Sequence, residues 1–281
     1  MQFDRTYLVD NGSLRPASYL NLKDWAAKLS AASAREVLPV SLLHSSRINP
    51  AELGGSPALV WERQLKADWA AGARSFCILP FFIGPTAAVL DYMPERVTAL
   101  REKLGDFQIA HGPFLGLDPE QPAGDLVEIV SENIRSGMAA LSLKRPKVVL
   151  VDHGSPQPAV ARMRDRIAET LKPRLETEIQ DLRPASMERR EGKRYAFNEP
   201  LLETVLAEPG WNEGPILIAL LFLSPGRHAG PGGDIAEICQ TAESSQTGLK
   251  TYMSPLIGEN PNLLGLLQKR LAAAEENPEW I

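Results

Sequence analysis

Val151-Asp152-His153-Gly154-Ser155 repeats, at an offset of 142, the pentapeptide Val9-Asp10-Asn11-Gly12-Ser13. Two further blocks share that spacing. Leu79-Pro80-Phe81-Phe82-Ile83-Gly84 falls on Leu221-Phe222-Leu223-Ser224-Pro225-Gly226, and Pro113-Phe114-Leu115-Gly116 falls on Pro255-Leu256-Ile257-Gly258. Three blocks at one offset indicate a tandem duplication. Lys144-Arg145-Pro146 reads as a linker, so the expected units are 1–143 and 144–281. A chain of 281 residues is long enough for each unit to bury its own core.

Within each copy, short apolar or β-branched runs alternate with longer amphipathic stretches, the pattern of parallel strands joined by helices. The expected strands of the first copy are Thr6 to Asp10, Val37 to Leu43, Ser75 to Phe82 and Phe107 to Ala110. Those of the second are Lys147 to Asp152, a segment within Thr177 to Met187, Ile216 to Leu223 and Leu249 to Met253. Between the first two of these, Val160, Met163, Ile167 and Leu171 share one face at helical spacing. The expected fold is therefore α/β: two tandem repeats of a four-stranded parallel sheet flanked by helices.

A hydrophobic content of 44% with 23% charged residues argues against disorder. The net charge of −5 disfavours nucleic acid and anionic membranes as partners. Cys77 and Cys239 are too few and too far apart for a disulfide framework or a thiolate metal site. Met1-Gln2-Phe3-Asp4-Arg5 shows no export pattern, and the longest apolar run, Ile216 to Leu223, is too short to span a bilayer, so the protein is expected in the cytoplasm. Oligomeric state has no signature in the sequence.

Ligands of open parallel sheets bind beyond the carboxyl ends of the strands, and all four histidines map to that edge. His44 and His111 follow strands of the first copy; His153 and His228 follow the first and third strands of the second. The latter two are flanked by small residues, in His153-Gly154-Ser155 and Gly226-Arg227-His228-Ala229-Gly230. Their counterparts at the common offset are Asn11 and Thr86, neither of which replaces an imidazole as a ligand for a first-row metal. This asymmetry predicts one working metal site, in the second copy; the alternative is that both histidines only cap turns. With a two-residue gap, Glu188 falls opposite His44 and offers a carboxylate from the second strand, with Glu178, Asp181, Glu191 and Glu199 as neighbours that could serve instead. Gly226 to Gly233 lacks the spacing of a nucleotide loop, and Ser155 lacks the Gly-x-Ser-x-Gly setting of a hydrolytic nucleophile.

These residues resemble the class II tetrapyrrole chelatases of the CbiX and SirB type, which insert cobalt or iron into sirohydrochlorin. The resemblance is carried by His153-Gly154-Ser155 after a strand, Gly226-Arg227-His228 after the third strand, and Asp234-Ile235 at the next helix start. It is strongest from Lys147 to about Pro261, the first copy matching as a decayed repeat, as in the longer two-unit members. It implies a lyase of cobalamin or siroheme biosynthesis that takes a divalent metal and a tetrapyrrole as substrates and needs no organic cofactor. The family's metal-binding and catalytic histidines fall on His153 and His228, and its glutamate on Glu188. Familiar long members often keep the intact site in the first copy; the histidines here place it in the second.

Sirohydrochlorin is rich in carboxylates, so Arg189, Arg190 and Arg227, with Lys193 and Arg194 nearby and Ser155 beside His153, are expected to receive them. Two other readings are a non-catalytic carrier of metal or tetrapyrrole and a periplasmic two-lobed binding protein, the latter disfavoured by the missing export pattern.

Overall fold

A computed structural model describes residues 2–118 and 121–281. The chain runs β1 (Arg5–Asp10), α1 (Pro16–Ser33), β2 (Val37–Ser41), α2 (Trp61–Ala70), β3 (Ser75–Pro80), α3 (Met93–Leu104), β4 (Gln108–His111) and α4 (Gly124–Ala140). It continues β5 (Lys147–Asp152), α5 (Pro158–Leu175), β6 (Leu182–Ser186), α6 (Leu202–Ala207), β7 (Gly214–Leu220), α7 (Asp234–Ser245) and β8 (Leu249–Met253), and ends in α8 (Leu263–Glu276) and β9 (Glu279–Trp280). Among the described residues these strands form two sheets, ordered β2-β1-β3-β4-β9 and β6-β5-β7-β8. Every pairing is parallel except β4 with β9.

The α/β repeat fold expected from the sequence is borne out. Strands β1 and β5 are central in their sheets and covered on both faces, which is why Tyr7 to Val9 and Val148 to Val151 are apolar without alternation. In the first unit Tyr7, Trp61, Phe76, Val97 and Ile109 pack together; in the second, Val149, Leu202, Leu206, Ile218 and Ile235 do so. Both cysteines are buried and free, and among the described residues no helix is long and apolar enough to cross a membrane.

The expected division at 143/144 separates β1 to β4 from β5 to β8, but α4, α8 and β9 each lie across it from the unit they pack in. The compact units are Met1–Leu115 with Leu264–Ile281, and Gly116–Leu263. Helix α4, written in the first copy, packs on β7 and α5, its Gly137 lying against Ser254 and Leu217. Helix α8, written in the second, lies beside β4, with Ala274 against Gly112 and Arg270 donating to the carbonyls of Phe114 and Leu115 at 2.9 and 2.6 Å. The chain then adds β9 to the first sheet, through Trp280 opposite Ala110. An amphipathic pattern shows that a helix covers a sheet but not which one, and a two-residue strand is too short for alternation to reveal.

Strand register corrects two of the expected equivalences. Val9 pairs with Pro80, and Val151 with Leu220, so the third strands correspond at 140 positions, two fewer than the first strands. A shift of two leaves the inward and outward faces unchanged, so the hydrophobic pattern could not expose it. Thr86 thus falls opposite Gly226 rather than His228, although the β3–α3 connection still holds no histidine. Likewise Val40 and Ala185 occupy one place, which puts Leu43 rather than His44 opposite Glu188. Backbone bonds agree: the Leu43 N–H donates to the Asn11 carbonyl, and the Glu188 N–H to that of His153.

Both first strands end in an aspartate with one buried oxygen unpartnered among the described residues, and burial raises both carboxyls; Asp152 has Arg164 3.6 Å away. Asp10 has no cation against it, its Oδ1 finds no hydrogen-bond partner among the described residues, and burial pushes the carboxyl up to about 6. A folded-state pKa above the ordinary 3.8 contributes stability that is full below that value and lost as pH rises through 6. Asp10→Asn is therefore expected to stabilise the first unit by roughly 2–3 kcal/mol at pH 7, a gain that vanishes below pH ~4. Thermal unfolding of both proteins across pH 3.5 to ~7.5 checks the sign.

Candidate metal centre

Three adjacent strand ends of the second sheet, those of β5, β6 and β7, each deliver one side chain to the same place: His153, Glu188 and His228. The imidazole centroids of His153 and His228 are 4.4 Å apart and nearly perpendicular. His153 Nε2 lies 3.6 Å from Glu188 Oε1. The side chains are 44%, 32% and 61% exposed for His153, His228 and Glu188, so they are open to an incoming ligand.

The backbone explains the convergence. Asp152, buried at the end of β5, accepts from the Gly154 N–H at 3.1 Å and from the Ser186 hydroxyl at 2.6 Å, which folds the chain into a tight turn around His153. Gly154 has φ +89°, and a Cβ there would stand 1.9 Å from the Glu188 carbonyl oxygen. Only glycine lets the segment after β6 approach this closely, and that approach sets Glu188 beside His153. The His228 turn is tied to the first turn of α7: the Ile235 N–H donates to the His228 carbonyl, and the Asp234 N–H to that of Arg227.

Each ring has its Nδ1 engaged. That of His153 faces the Gly154 carbonyl at 2.9 Å, and that of His228 faces Asp234 Oδ2 at 2.6 Å. A carbonyl or a carboxylate can only accept, so Nδ1 donates in both, and Nε2 is the ring nitrogen left to meet a ligand. Carboxylate-backed imidazole is the arrangement that orients metal-binding histidines and raises their basicity. Asp234 also sits at a helix N-terminus, where negative charge is favoured. Among the described residues no three His, Cys, Asp or Glu side chains form a ready-made cage for a metal ion. The arrangement is an open one, with all three side chains partly or largely exposed.

Removing the carboxylate should weaken the site without dismantling it. Asp234→Ala is expected to raise the Kd for Co2+ about 10- to 100-fold, measured by optical titration, with the thermal midpoint little changed.

The other candidates fare unequally. Glu178 and Asp181 precede β6, at the far end of the strand from His153, and pair with Arg135 and Lys172. Glu199 is held by Arg189 at 2.5 Å, so that arginine is already neutralised. Arg190 and Arg194 lie over the Tyr195 ring, and hydrogen bonding from Arg190 pulls the Tyr195 hydroxyl below its ordinary range. Arg227 is 75% exposed, 3.5 Å from Asp234. The Ser155 hydroxyl accepts from the Gln157 N–H at the start of α5, a structural task. His44 and His111 belong to the first unit, where His111 is buried within β4 and faces Glu279. Unread from the sequence were Asp152, Arg164 and Asn198, which brace the His153 turn, and the role of Asp234 behind His228.

A pocket of about 600 Å3 between α6 and α7 is lined by Glu188, Arg227 and Asp234 together with Leu206, Ile238 and Ala242, but by neither histidine.

Residues 147–274 match the CbiX family. The whole chain shares its fold with two solved structures: SirB from Bacillus subtilis with Fe3+, at 17% identity, 98% coverage of both chains and a TM-score of 0.69; and the sirohydrochlorin chelatase SirB from Bacillus subtilis subspecies spizizenii in complex with cobalt, at 18% identity, 98% coverage of this chain and 96% of that one, and a TM-score of 0.67. No curated protein sequence matches the chain. The resemblance drawn from His153, His228 and their surroundings is thus borne out in the family match of the second unit and in the two-unit fold.

Proposed function

We propose, from the CbiX match over residues 147–274 and the side chains gathered within it, that this chain is a sirohydrochlorin-type chelatase, inserting Co2+ or Fe2+ into sirohydrochlorin or a related tetrapyrrole. The observation that carries the reading is the pair of adjacent imidazoles with both Nδ1 atoms engaged, beside the Glu188 carboxylate.

Metallation removes two pyrrole protons as M2+ enters the macrocycle. The site must therefore hold the metal weakly and accept protons nearby. Imidazole nitrogen and carboxylate oxygen suit divalent iron and cobalt, and both are proton acceptors. His153 and His228 offer the metal two nitrogens and leave coordination positions open to the macrocycle, unlike the closed shell of a structural site. Glu188, on the same edge and largely exposed, takes the two protons leaving the pyrrole nitrogens in turn and passes each to solvent. Asp234 holds the His228 ring while its Nε2 gives up the ion.

The carboxylates of the macrocycle are assigned to Arg190 and Arg227, which reach solvent near Glu188, rather than to the internally paired Arg189. Arg190→Ala combined with Arg227→Ala is expected to raise KM for sirohydrochlorin by about three- to tenfold, an effect that shrinks at high salt, with kcat nearly unchanged. An unchanged KM removes both residues from the binding surface.

The test of the reaction is anaerobic absorbance of Co2+ and Fe2+ insertion into sirohydrochlorin. Catalysed, repeated turnover above the rate of metal and substrate alone is the expected result. Binding without turnover would identify a carrier instead.

A further inference from the structure

Beneath the His153 turn lies a network built on a buried guanidinium, where the first unit has, among the described residues, only the neutral serines Ser41 and Ser45 beside Asp10. Arg164, on α5, is 1% exposed. Its Nη1 donates to the Ser186 hydroxyl and, at 3.1 Å, to the Asn198 carbonyl, and stands 3.6 Å from Asp152 Oδ1. Its Nε donates to Asp165 at 2.8 Å. Asn198, fully buried, brackets Ser155: its Oδ1 accepts from the Ser155 N–H and its Nδ2 donates to the Ser155 carbonyl, both at 2.9 Å.

The duplication supplies the control. Helices α1 and α5 have the same length and correspond at the 142 offset of β1 and β5, so Leu22 occupies the place of Arg164. Leu22 is fully buried, and Asp10 and Ser41 stand where Asp152 and Ser186 do. The equivalent turn, at Ser13, is bracketed by the Ser45 hydroxyl, which accepts from the Ser13 N–H at 3.1 Å and lies 3.2 Å from the Ser13 carbonyl and 2.9 Å from the Ser41 hydroxyl. The fold thus closes here with leucine and neutral hydroxyls. Burying a guanidinium is costly, and the fold does not require it. The guanidinium is present in the unit whose turn carries His153 and absent from the unit whose turn carries Asn11.

We infer that Arg164 is a positioning residue, which acts through Ser186, Asp152 and Asn198 to hold the His153-Gly154-Ser155 turn rigid so that His153 Nε2 stays directed at the metal. The inference rests on the metal-site reading. A charge-assisted network with every donor engaged resists deformation more than neutral hydroxyls do, and a ligand held in place loses less freedom on binding.

The test is the double variant Arg164→Leu with Asp152→Asn, which installs the first unit's leucine without stranding a buried charge; Asp152→Asn alone serves as reference. Amide exchange at Gly154 and Ser155, resolved by NMR without metal, reports the turn directly, and exchange at Gly12 and Ser13 serves as the internal control. Optical titration with Co2+ reports the site. The expected result is a folded protein in which exchange at Gly154 and Ser155 rises at least about tenfold, the first-unit amides are unchanged, and the Co2+ Kd rises about tenfold. Retained protection, or lost protection with an unchanged Co2+ Kd, overturns the proposal alone. Wild-type protein that binds no Co2+ refutes the metal-site reading and the proposal with it. Should the double variant not fold, Asn198→Ala must give the same two signatures, and wild-type Co2+ affinity in that variant overturns the proposal.

Discussion

His153→Ala and His228→Ala, made separately, are each expected to slow metal insertion by about 100- to 10 000-fold. The two imidazole centroids lie 4.4 Å apart, so removing either leaves one nitrogen and a carboxylate, too few to hold an ion in line with the macrocycle. The losses will not add: the double variant should be little worse than either single one, because the groups act as a unit. Neither side chain is buried, so the thermal midpoints should stay near that of the wild type. Rates within a factor of ~3 of wild type for either variant would remove that histidine from the mechanism.

A comparable loss is expected from a residue that never touches the metal. Gly154→Ala puts a Cβ 1.9 Å from the Glu188 carbonyl oxygen, at a backbone conformation L-residues avoid. The strain and the clash together should cost about 3 kcal/mol or more, and relief requires the segment after β6 to move away. Glu188 and His153 then separate, and insertion should fall about 100-fold or more even at temperatures where the protein is folded. The first unit again provides the comparison. Gly12→Ala meets the Leu43 carbonyl oxygen just as severely, at a φ of +87°. It should destabilise to a similar degree while the folded protein keeps its Co2+ affinity, since no candidate ligand lies on that turn. Equal losses of Co2+ affinity in the two variants would show that the Gly154 effect is general unfolding.

The fold could be read from the repeat because duplicated strand ends carry short motifs, and because buried parallel strands are nearly unbroken apolar runs. What escaped was information not written locally. The third strands differ in offset from the first by two residues, a slip that alternation cannot detect, which moves Thr86 away from His228; the second strands carry a longer insertion, which puts Leu43 rather than His44 opposite Glu188. The sheets covered by α4 and α8 depend on contacts remote in sequence. In the site, His153, His228 and Glu188 could be proposed because strand polarity directs three adjacent ends to one edge. The partners that aim them could not. Asp234 looks from sequence like an ordinary helix start, and Arg164 like one more charge on an amphipathic helix, until the structure brings the first to His228 and buries the second against Asp152.

The most direct measurement is anomalous diffraction at the cobalt edge from crystals of the wild-type protein soaked with Co2+. The expected map has one dominant peak in the second unit, within about 2.0–2.3 Å of His153 Nε2 and His228 Nε2, with a Glu188 oxygen at or near the ion. A dominant peak in the first unit, or one in the second that touches neither histidine, would contradict the account.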